Sequence, residues 1–160
     1  MKEPKIEKLQ KMQLVGKHIT MSLSNNRTAE LWGAFMPMRA SVLNRANDNY
    51  YSVEVYPEGY FEHFNPNTEF EKWAAVKVEE VTDLPEAMES LTVPEGLYAV
   101  FSFKGTPANV PQFMQQIFGV WLPHSKYQLD NRPHFALMGE KYKNNDPESE
   151  EDFWVPVRLK

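Results

Sequence analysis

Two glutamates in this chain are each followed two residues later by a tyrosine, an arrangement that could do chemistry. The first pair, Glu54 and Tyr56, lies in EVYP, and the second, Glu140 and Tyr142, lies in EKYK. Side chains two positions apart in a β-strand share a face, so each pair would present a carboxylate beside a phenol. A carboxylate withdrawn from water is unfavourable unless it is paired, and neither predicted strand offers a Lys or Arg directly in register. The sequence therefore predicts a site that a cationic ligand would neutralise.

Aromatic residues make up 13% of the chain, which is more than a core of this size usually needs. A cation over an aromatic ring gains about 0.5–2 kcal/mol, so rings near the carboxylates would add to such a site. The candidates on the two predicted helices are Trp32, Phe35, Phe118 and Trp121. Aromatic residues at this helical spacing belong to the hydrophobic core more often than to a binding site, and we expect one or two of the four to line a cavity.

The composition excludes several other kinds of site. Without cysteine there is no disulfide framework, thiolate metal site or thiol nucleophile, and the four histidines lack ligand-like spacing. No glycine-rich phosphate or dinucleotide motif is present. The net charge of -5 argues against direct nucleic-acid binding. We therefore expect no metal, no cofactor, no nucleic acid and, without a signal sequence or apolar span, no membrane contact by a cytoplasmic, bacterial-type protein.

The elements that must position these residues repeat within one predicted domain, 1–160. Each half reads as β-α-β-β, the first at about 11–80 and the second at about 96–159, with a connector at 81–95. The second strand of each half is predicted at YYSVEVY and at HFALMGEKY. Two such units can join their sheets about a pseudo-twofold axis. The sequence thus predicts an α+β fold with a curved antiparallel sheet, two main helices and a central cleft.

Aligning the two halves makes Glu54 and Glu140 equivalent, because each follows a proline at the same distance. Near a twofold axis, the two glutamates and their tyrosines would converge on one site. In the first half, Tyr51, Val53 and Val55 alternate with Glu54 along the strand. We expect these three residues to meet the helices, and Glu54 to lie on the other face or at a strand end where the sheet curves.

An ordered set of segments resembles the GyrI-like small-molecule-binding family. The segments are LWGAFMPMR, YSVEVYP, FEKWAAVKVEE, PEGLYAVFSFKG, IFGVWLPHS and RPHFALMGEKYKNNDPESEEDFWVPV. Such domains are effector-binding modules of bacterial AraC- and MerR-type transcription activators and also occur as free-standing proteins. The resemblance, from about Lys11 to Val157, implies a tandem β-α-β-β fold with a central cleft. No segment is spare for a helix-turn-helix, so we expect a free-standing member.

The resemblance also implies a ligand class and an acidic residue. Family members bind hydrophobic, often cationic, compounds through aromatic residues and a buried acid. By resemblance this acid is Glu140, with Tyr142 beside it and with Glu54 and Tyr56 as counterparts in the first half. The leading hypothesis is binding of an amphipathic cationic or aromatic small molecule, for sensing or sequestration linked to transcription regulation or resistance.

Two further hypotheses stay open alongside ligand binding. The first is a hydrolase of reactive electrophilic natural products, with Glu140 and Tyr142 supplying acid-base chemistry. The second is a modulator of another protein, such as a gyrase inhibitor. We expect binding rather than catalysis. Open sheet edges leave room for a homodimer or a regulatory protein partner.

Overall fold

Nine strands and two main helical segments make up the computed structural model, which describes residues 2–160. The strands are β1 (Lys5–Leu9), β2 (Met12–Met21), β3 (Tyr50–Val55), β4 (Phe70–Val78), β5 (Glu89–Val93), β6 (Gly96–Lys104), β7 (Tyr127–Leu129), β8 (His134–Met138) and β9 (Glu150–Leu159). The helices are α1 (Thr28–Phe35), α2 (Val110–Gln116) and the short α3 (Leu122–His124). A π-helical turn, Ile117–Trp121, joins α2 to α3, and 3-10 turns span Met36–Ser41 and Pro107–Asn109.

Both helical segments lie where the apolar spacing predicts them. α1 ends at Phe35, and Pro37 lies in the 3-10 turn that follows, because proline lacks the N–H that would continue the α-helix. The stretch VPQFMQQIFGVWL forms α2, the π-helical turn and the first residue of α3, and Pro111 takes an early position where its missing N–H does no harm.

All strands pair antiparallel in the order β1-β6-β9-β8-β3-β4-β2-β5, and β7 adds to β9. The centre of the sheet is the β3–β8 pair, where Tyr50 lies opposite Met138 and Glu54 lies opposite His134. From this pair, β4 and β2 follow on one side, and β9 and β6 follow on the other. The predicted α+β fold with an antiparallel sheet and two main helices is confirmed, while the repeat boundaries stay a prediction.

The helices cover one face of the sheet and form two packed cores there. The core under α1 includes Val15, Leu31, Phe35, Ala74 and Val76. The core under α2 and the π-helical turn includes Ala99, Phe101, Ile117, Ala136, Phe153, Val155 and Val157. Because the two helical segments lie over opposite halves of the sheet, the central strands run between them.

The opposite face is also buried, although within residues 2–160 no helix packs against it. We call its cluster of Met12, Leu14, Tyr51, Val53, Trp73, Ala75, Val93, Tyr98 and Phe135 the enclosed core. Leu14 and Val93 come from one side of the sheet, Tyr98 comes from the other, and all three are fully buried. A flat sheet could not bury them without a second layer, so the sheet curls around this cluster.

The predicted orientation of β3 is therefore wrong. Tyr51 and Val53 belong to the enclosed core and Val55 packs against it, whereas Tyr50 packs under α1. Glu54 is four positions from Tyr50, and residues an even number of positions apart share one face of a strand, so Glu54 also faces the helices. Alternation separates the two faces of a strand but does not say which layer covers each, because both faces of this sheet are apolar.

We predict that Gly16→Ala destabilises the sheet. A Cβ at this position of β2 would lie 2.0 Å from the carbonyl oxygen of Ala74 and 2.7 Å from the Cα of Ala75. Backbone of β4 cannot move aside without breaking its pairing, so the free energy of unfolding should fall by roughly 1–3 kcal/mol or more. Urea unfolding followed by tryptophan fluorescence measures the change.

Gly33→Ala is the matched control for this substitution. Gly33 lies on the exposed side of α1, and a Cβ there would meet no atom within 4 Å. Alanine in a helix is favoured over glycine by about 0.5–1 kcal/mol, so this variant should be slightly more stable than wild type. Equal effects of the two substitutions would contradict the close β2–β4 approach.

Candidate functional site

The floor of the cleft between the two helical segments is made of small side chains. Ser52 on β3 is registered with Ala74 on β4 and with Ala136 on β8, and all three are buried. Ala74 belongs to the core under α1 and Ala136 to the core under α2, so Ser52 lies where neither helix is centred. This row of short, buried side chains lies between the two helical segments, and we call the region above it the central cleft.

Glu54 projects into the central cleft beside Lys72, its registered neighbour on β4. Lys72 Nζ lies 3.4 Å from Glu54 Oε2, and the side chains are only 13% and 17% exposed, respectively. Oε2 is buried and accepts no hydrogen bond within residues 2–160. Burial raises the pKa of Glu54 above its ordinary value, and the Lys72 ammonium opposes this shift. The expectation that no lysine is in register with Glu54 is wrong.

A second partly buried carboxylate on the helix-facing side of the sheet is Glu151 of β9. Glu151 is two positions from Phe153 along β9, so both side chains lie on the face that the helices cover. Burial raises the pKa of Glu151 to about 7, Lys72 lowers it, and the negative charges of Glu54 and Asp152 raise it further. Glu54, Lys72 and Glu151 thus influence one another electrostatically on the helix-facing side of the sheet, and we call these three residues, one ammonium and two carboxylates, the charge cluster.

Phenols accompany both carboxylates of the cluster. Burial raises the pKa of Tyr56 well above its ordinary value, and the charge of Glu54 adds to the shift. Tyr142 is half-buried, and burial together with the charge of Glu151 raises its pKa. Both tyrosines are therefore neutral hydrogen-bond donors at physiological pH.

Aromatic rings close the end of the central cleft next to Glu54. The Tyr56 ring lies 4.5 Å from that of Tyr60 and 4.9 Å from that of Phe61, measured between centroids. Phe61 in turn stacks on Phe118 of the π-helical turn at 4.8 Å and on His134 at 5.5 Å. The wall therefore joins three elements: the end of β3, the β3–β4 connection and the helical segment over β9.

His134 faces Glu54 across the β3–β8 pair but carries no charge. Burial, with a smaller effect of the nearby Arg132 charge, lowers the pKa of His134 to about 3. A neutral imidazole cannot replace Lys72 as the counter-charge of Glu54. The His134 ring instead contributes to the aromatic wall, where it packs edge-on against Tyr56 at 4.9 Å.

The structure brings four of the predicted residues to the central cleft and leaves Glu140 outside it. Glu54, Tyr56, Tyr142 and Phe118 lie around the cleft as described above. The strand predicted to run through Glu140 ends at Met138, and Glu140 is exposed in the turn that follows. The Tyr142 N–H donates to the carbonyl of Gly139 at 3.1 Å, which closes this turn. The predicted equivalence of Glu54 and Glu140 across the two halves does not place Glu140 at the cleft, since the chain turns away before reaching it.

The remaining aromatic candidates have different surroundings. Phe35 is fully buried in the core under α1, and Trp32 packs edge-on against both Phe35 and Tyr50. Trp121 faces the β1 and β7 side of the sheet, where its Nε1 donates to the Glu3 carboxylate at 3.2 Å and its ring stacks on Tyr127. Trp121 is thus directed away from the central cleft.

Sequence reasoning missed Lys72, Glu151, Tyr60 and Phe61. Lys72 sits in EKWAAVKV, where alternation groups it with Ala74 and so with the helix face. Glu151 lies in an acidic run that is typical of a solvated loop, yet it is two positions from Phe153 and so shares its face of the strand. Extending the predicted last strand by one residue toward the amino terminus would have found it.

Comparison with known protein families identifies the family of this chain. Residues 2–158 match the GyrI-like small molecule binding domain. The protein belongs to the GyrI-like family. Within residues 2–160 of this GyrI-like protein, no helix is long and apolar enough to cross a membrane. The same residues contain no group of three or more acidic or histidine side chains arranged to hold a metal ion.

Similar proteins include regulators and a ligand-bound structure. The transcriptional regulator BrlR of Pseudomonas aeruginosa is 26% identical over 145 residues, which are 90% of this chain and 51% of BrlR. The chain thus spans about half the length of that regulator. SAV2435 bound to tetraphenylphosphonium has a TM-score of 0.66 at 19% identity, covering 98% of this chain and 94% of SAV2435. A chain of the EcmrR–DNA complex has a TM-score of 0.74 at 10% identity, covering 99% of this chain and 58% of that one. These two structures show that the GyrI-like fold is shared.

We predict that Glu151→Gln makes stability less dependent on pH. The folded-state pKa of about 7 exceeds the ordinary value of 4.5, so folding favours the protonated carboxyl. The stability that this proton supplies is fully present below about pH 4.5 and is lost as the pH rises through about 7. Near pH 8.5 the variant should be more stable than wild type by up to about 3 kcal/mol, at 1.36 kcal/mol for each pKa unit.

Urea unfolding between about pH 5 and pH 9 measures this difference. Glu150→Gln is the control, because Glu150 is the exposed neighbour on the same strand. Parallel stability curves for wild type and Glu151→Gln would show that Glu151 is not buried against the charge cluster.

Proposed function

We propose that the protein binds an amphipathic, singly charged organic cation with aromatic or apolar groups in the central cleft. The observation that supports this proposal is the charge count of the cluster. Glu54 and Glu151 carry two negative charges when ionised, and Lys72 supplies one positive charge. A ligand with one positive charge would balance the remaining carboxylate, and its apolar groups would pack on the aromatic wall.

Desolvation makes such a site selective for charge. Two charges about 6 Å apart interact by roughly 3 kcal/mol at an effective dielectric constant of about 20, and by far less in water. Glu54 is largely withdrawn from solvent, so the approach of a cation relieves an unfavourable burial. Rings such as Phe61 and Phe118 supply π-faces that favour a cation over an anion.

The comparisons support this ligand class and a regulatory setting. Tetraphenylphosphonium, the compound bound to SAV2435, is a lipophilic cation of the kind proposed here. The similarity to BrlR supports a role in sensing a compound for transcription regulation, and with it a cytoplasmic location. Sequestration of the same compound, without a regulatory partner, would use the same chemistry in the cleft.

The main test is titration with tetraphenylphosphonium and with tetraphenylborate, which has the same shape and the opposite charge. At about pH 8.5, where Glu151 is ionised, wild type should bind the cation at least about tenfold more tightly than the anion. Glu54→Gln and Glu151→Gln should each weaken cation binding by about tenfold, because each removes one negative charge from the cleft. Calorimetric titration measures all of these affinities.

Glu140→Gln is the matched control, since Glu140 is an exposed glutamate in the turn after β8. It should bind the cation as wild type does. Equal affinity of wild type for the cation and the anion would end the proposal. A loss caused by Glu140→Gln alone would move the site to the turn.

A second candidate function is acid-base catalysis, which the raised pKa of Glu151 next to Tyr142 favours. A carboxyl with a pKa of about 7 can accept a proton from water near neutral pH, and a neutral phenol can donate one to a leaving group. Incubation with a strained-ring electrophile should then give more than one turnover for each protein molecule, and Glu151→Gln should abolish it. Consumption limited to one equivalent would contradict catalysis.

A further inference from the structure

Lys72 reaches into the central cleft from β4 and loses most of its hydration there. Even-numbered positions of this strand face the helices, as Ala74 and Val76 do under α1. Lys72 lies two residues before Ala74, and its side chain is only 13% exposed. A lysine is rarely so buried unless a carboxylate pairs with it, and here that carboxylate is Glu54.

The Lys72–Glu54 pair is loose. Its 3.4 Å separation exceeds the about 2.7–2.9 Å of a good charge-assisted hydrogen bond. Glu54 Oε2 also remains without a hydrogen-bond donor in the described part of the chain. By contrast, the exposed pair of Lys104 and Glu148 closes to 2.9 Å. The Lys72 ammonium therefore neutralises Glu54 without using up its capacity to accept a donor.

The charge of Lys72 extends beyond Glu54. Glu151 is partly buried on the same helix-facing side of the sheet, as its neighbour Phe153 is, and Lys72 lowers its pKa, so the one ammonium acts on both carboxylates of the cluster. Lys72 balances one of the two carboxylates, so the first positive charge of a ligand is balanced by the other. A second charge on the ligand has no carboxylate left to balance it, and an unpaired charge in a partly dry site is strongly disfavoured.

We propose that Lys72 is a built-in counter-cation that sets the charge of the cleft and thereby restricts it to singly charged ligands. Lys72 would be a specificity-determining residue, because its ammonium balances the charge of one of the two carboxylates. The inference rests on the proposed function, because it concerns the same cleft. A merely structural Lys72 would change stability when replaced and would leave the preference between ligands of different charge unaltered.

The experiment compares two biaryl ions of similar shape and size. Methyl-phenylpyridinium carries one positive charge, and dimethyl-bipyridinium carries two. The affinity ratio between them, measured by titration of tryptophan fluorescence at about pH 8.5, is the readout. Wild type should prefer the monocation. Lys72→Met should shift the ratio toward the dication by at least about tenfold, since both carboxylates are then free.

A double substitution keeps the test decisive if Lys72→Met does not fold. Replacing both partners of a buried pair avoids leaving one charge alone, so Lys72→Met with Glu54→Gln is expected to fold. It differs from Glu54→Gln only in the charge of Lys72. The double variant should bind the monocation at least about tenfold more tightly than Glu54→Gln does, and its ratio should be close to that of wild type.

Lys104→Met is the control for long-range electrostatics, because it removes the same charge from the exposed pair. It should keep the wild-type ratio. An unchanged ratio in Lys72→Met, or equal monocation affinity in Glu54→Gln and the double variant, would overturn this inference and leave the proposed function standing. If no variant bound either ion or tetraphenylphosphonium, both would be overturned together.

Discussion

The candidate site depends on a lysine and a glutamate that face each other across β4 and β3. Both have given up most of their contact with water, and their separation of 3.4 Å is too long for a strong hydrogen bond. A buried pair of this kind contributes little net stability, because desolvation consumes most of the Coulombic gain. Its effect is to fix the electrostatic potential of the cleft. Together with Glu151, it leaves the cleft one positive charge short of neutrality.

Strand register places this pair where a ligand could use it. One row across the sheet carries Lys72, Glu54 and His134, and the neighbouring row on the same face carries Ala74, Ser52 and Ala136. The first row supplies charge and an imidazole ring, while the second carries only short side chains. The two helical segments lie over opposite halves of the sheet, one on each side of this row. The fold therefore sets charged and short side chains side by side on the central strands.

The sequence carried enough information for the fold and for about half of the site. Apolar periodicity located both helical segments, and the alternation in YYSVEVY put Glu54 on one face of a strand with Tyr50 and Ser52. Repeated spacing then failed as a guide to Glu140, because a match in sequence offset does not require a match in strand length. β8 ends at Met138, and the turn beyond it carries Glu140 into solvent.

The electrostatic interaction of Lys72 with Glu151 could not be predicted for a different reason. It depends on the registers of β4 with β3, of β3 with β8 and of β8 with β9, which long irregular connections do not encode. The expectation that Tyr51, Val53 and Val55 meet the helices failed because a curled sheet buries both of its faces. The alternation of apolar residues in a strand predicts that a side chain is buried. Which element it is buried against depends on how the whole sheet curls.

The enclosed core holds the central strands from the face opposite the central cleft. Val53, Trp73 and Phe135 pack together there, while the cores under the helices pack against the other face. The central strands are therefore fixed by packing on both faces. Lys72 and Glu54 are carried by these strands, so the sheet, and not a loop, sets where the ammonium and the carboxylate meet.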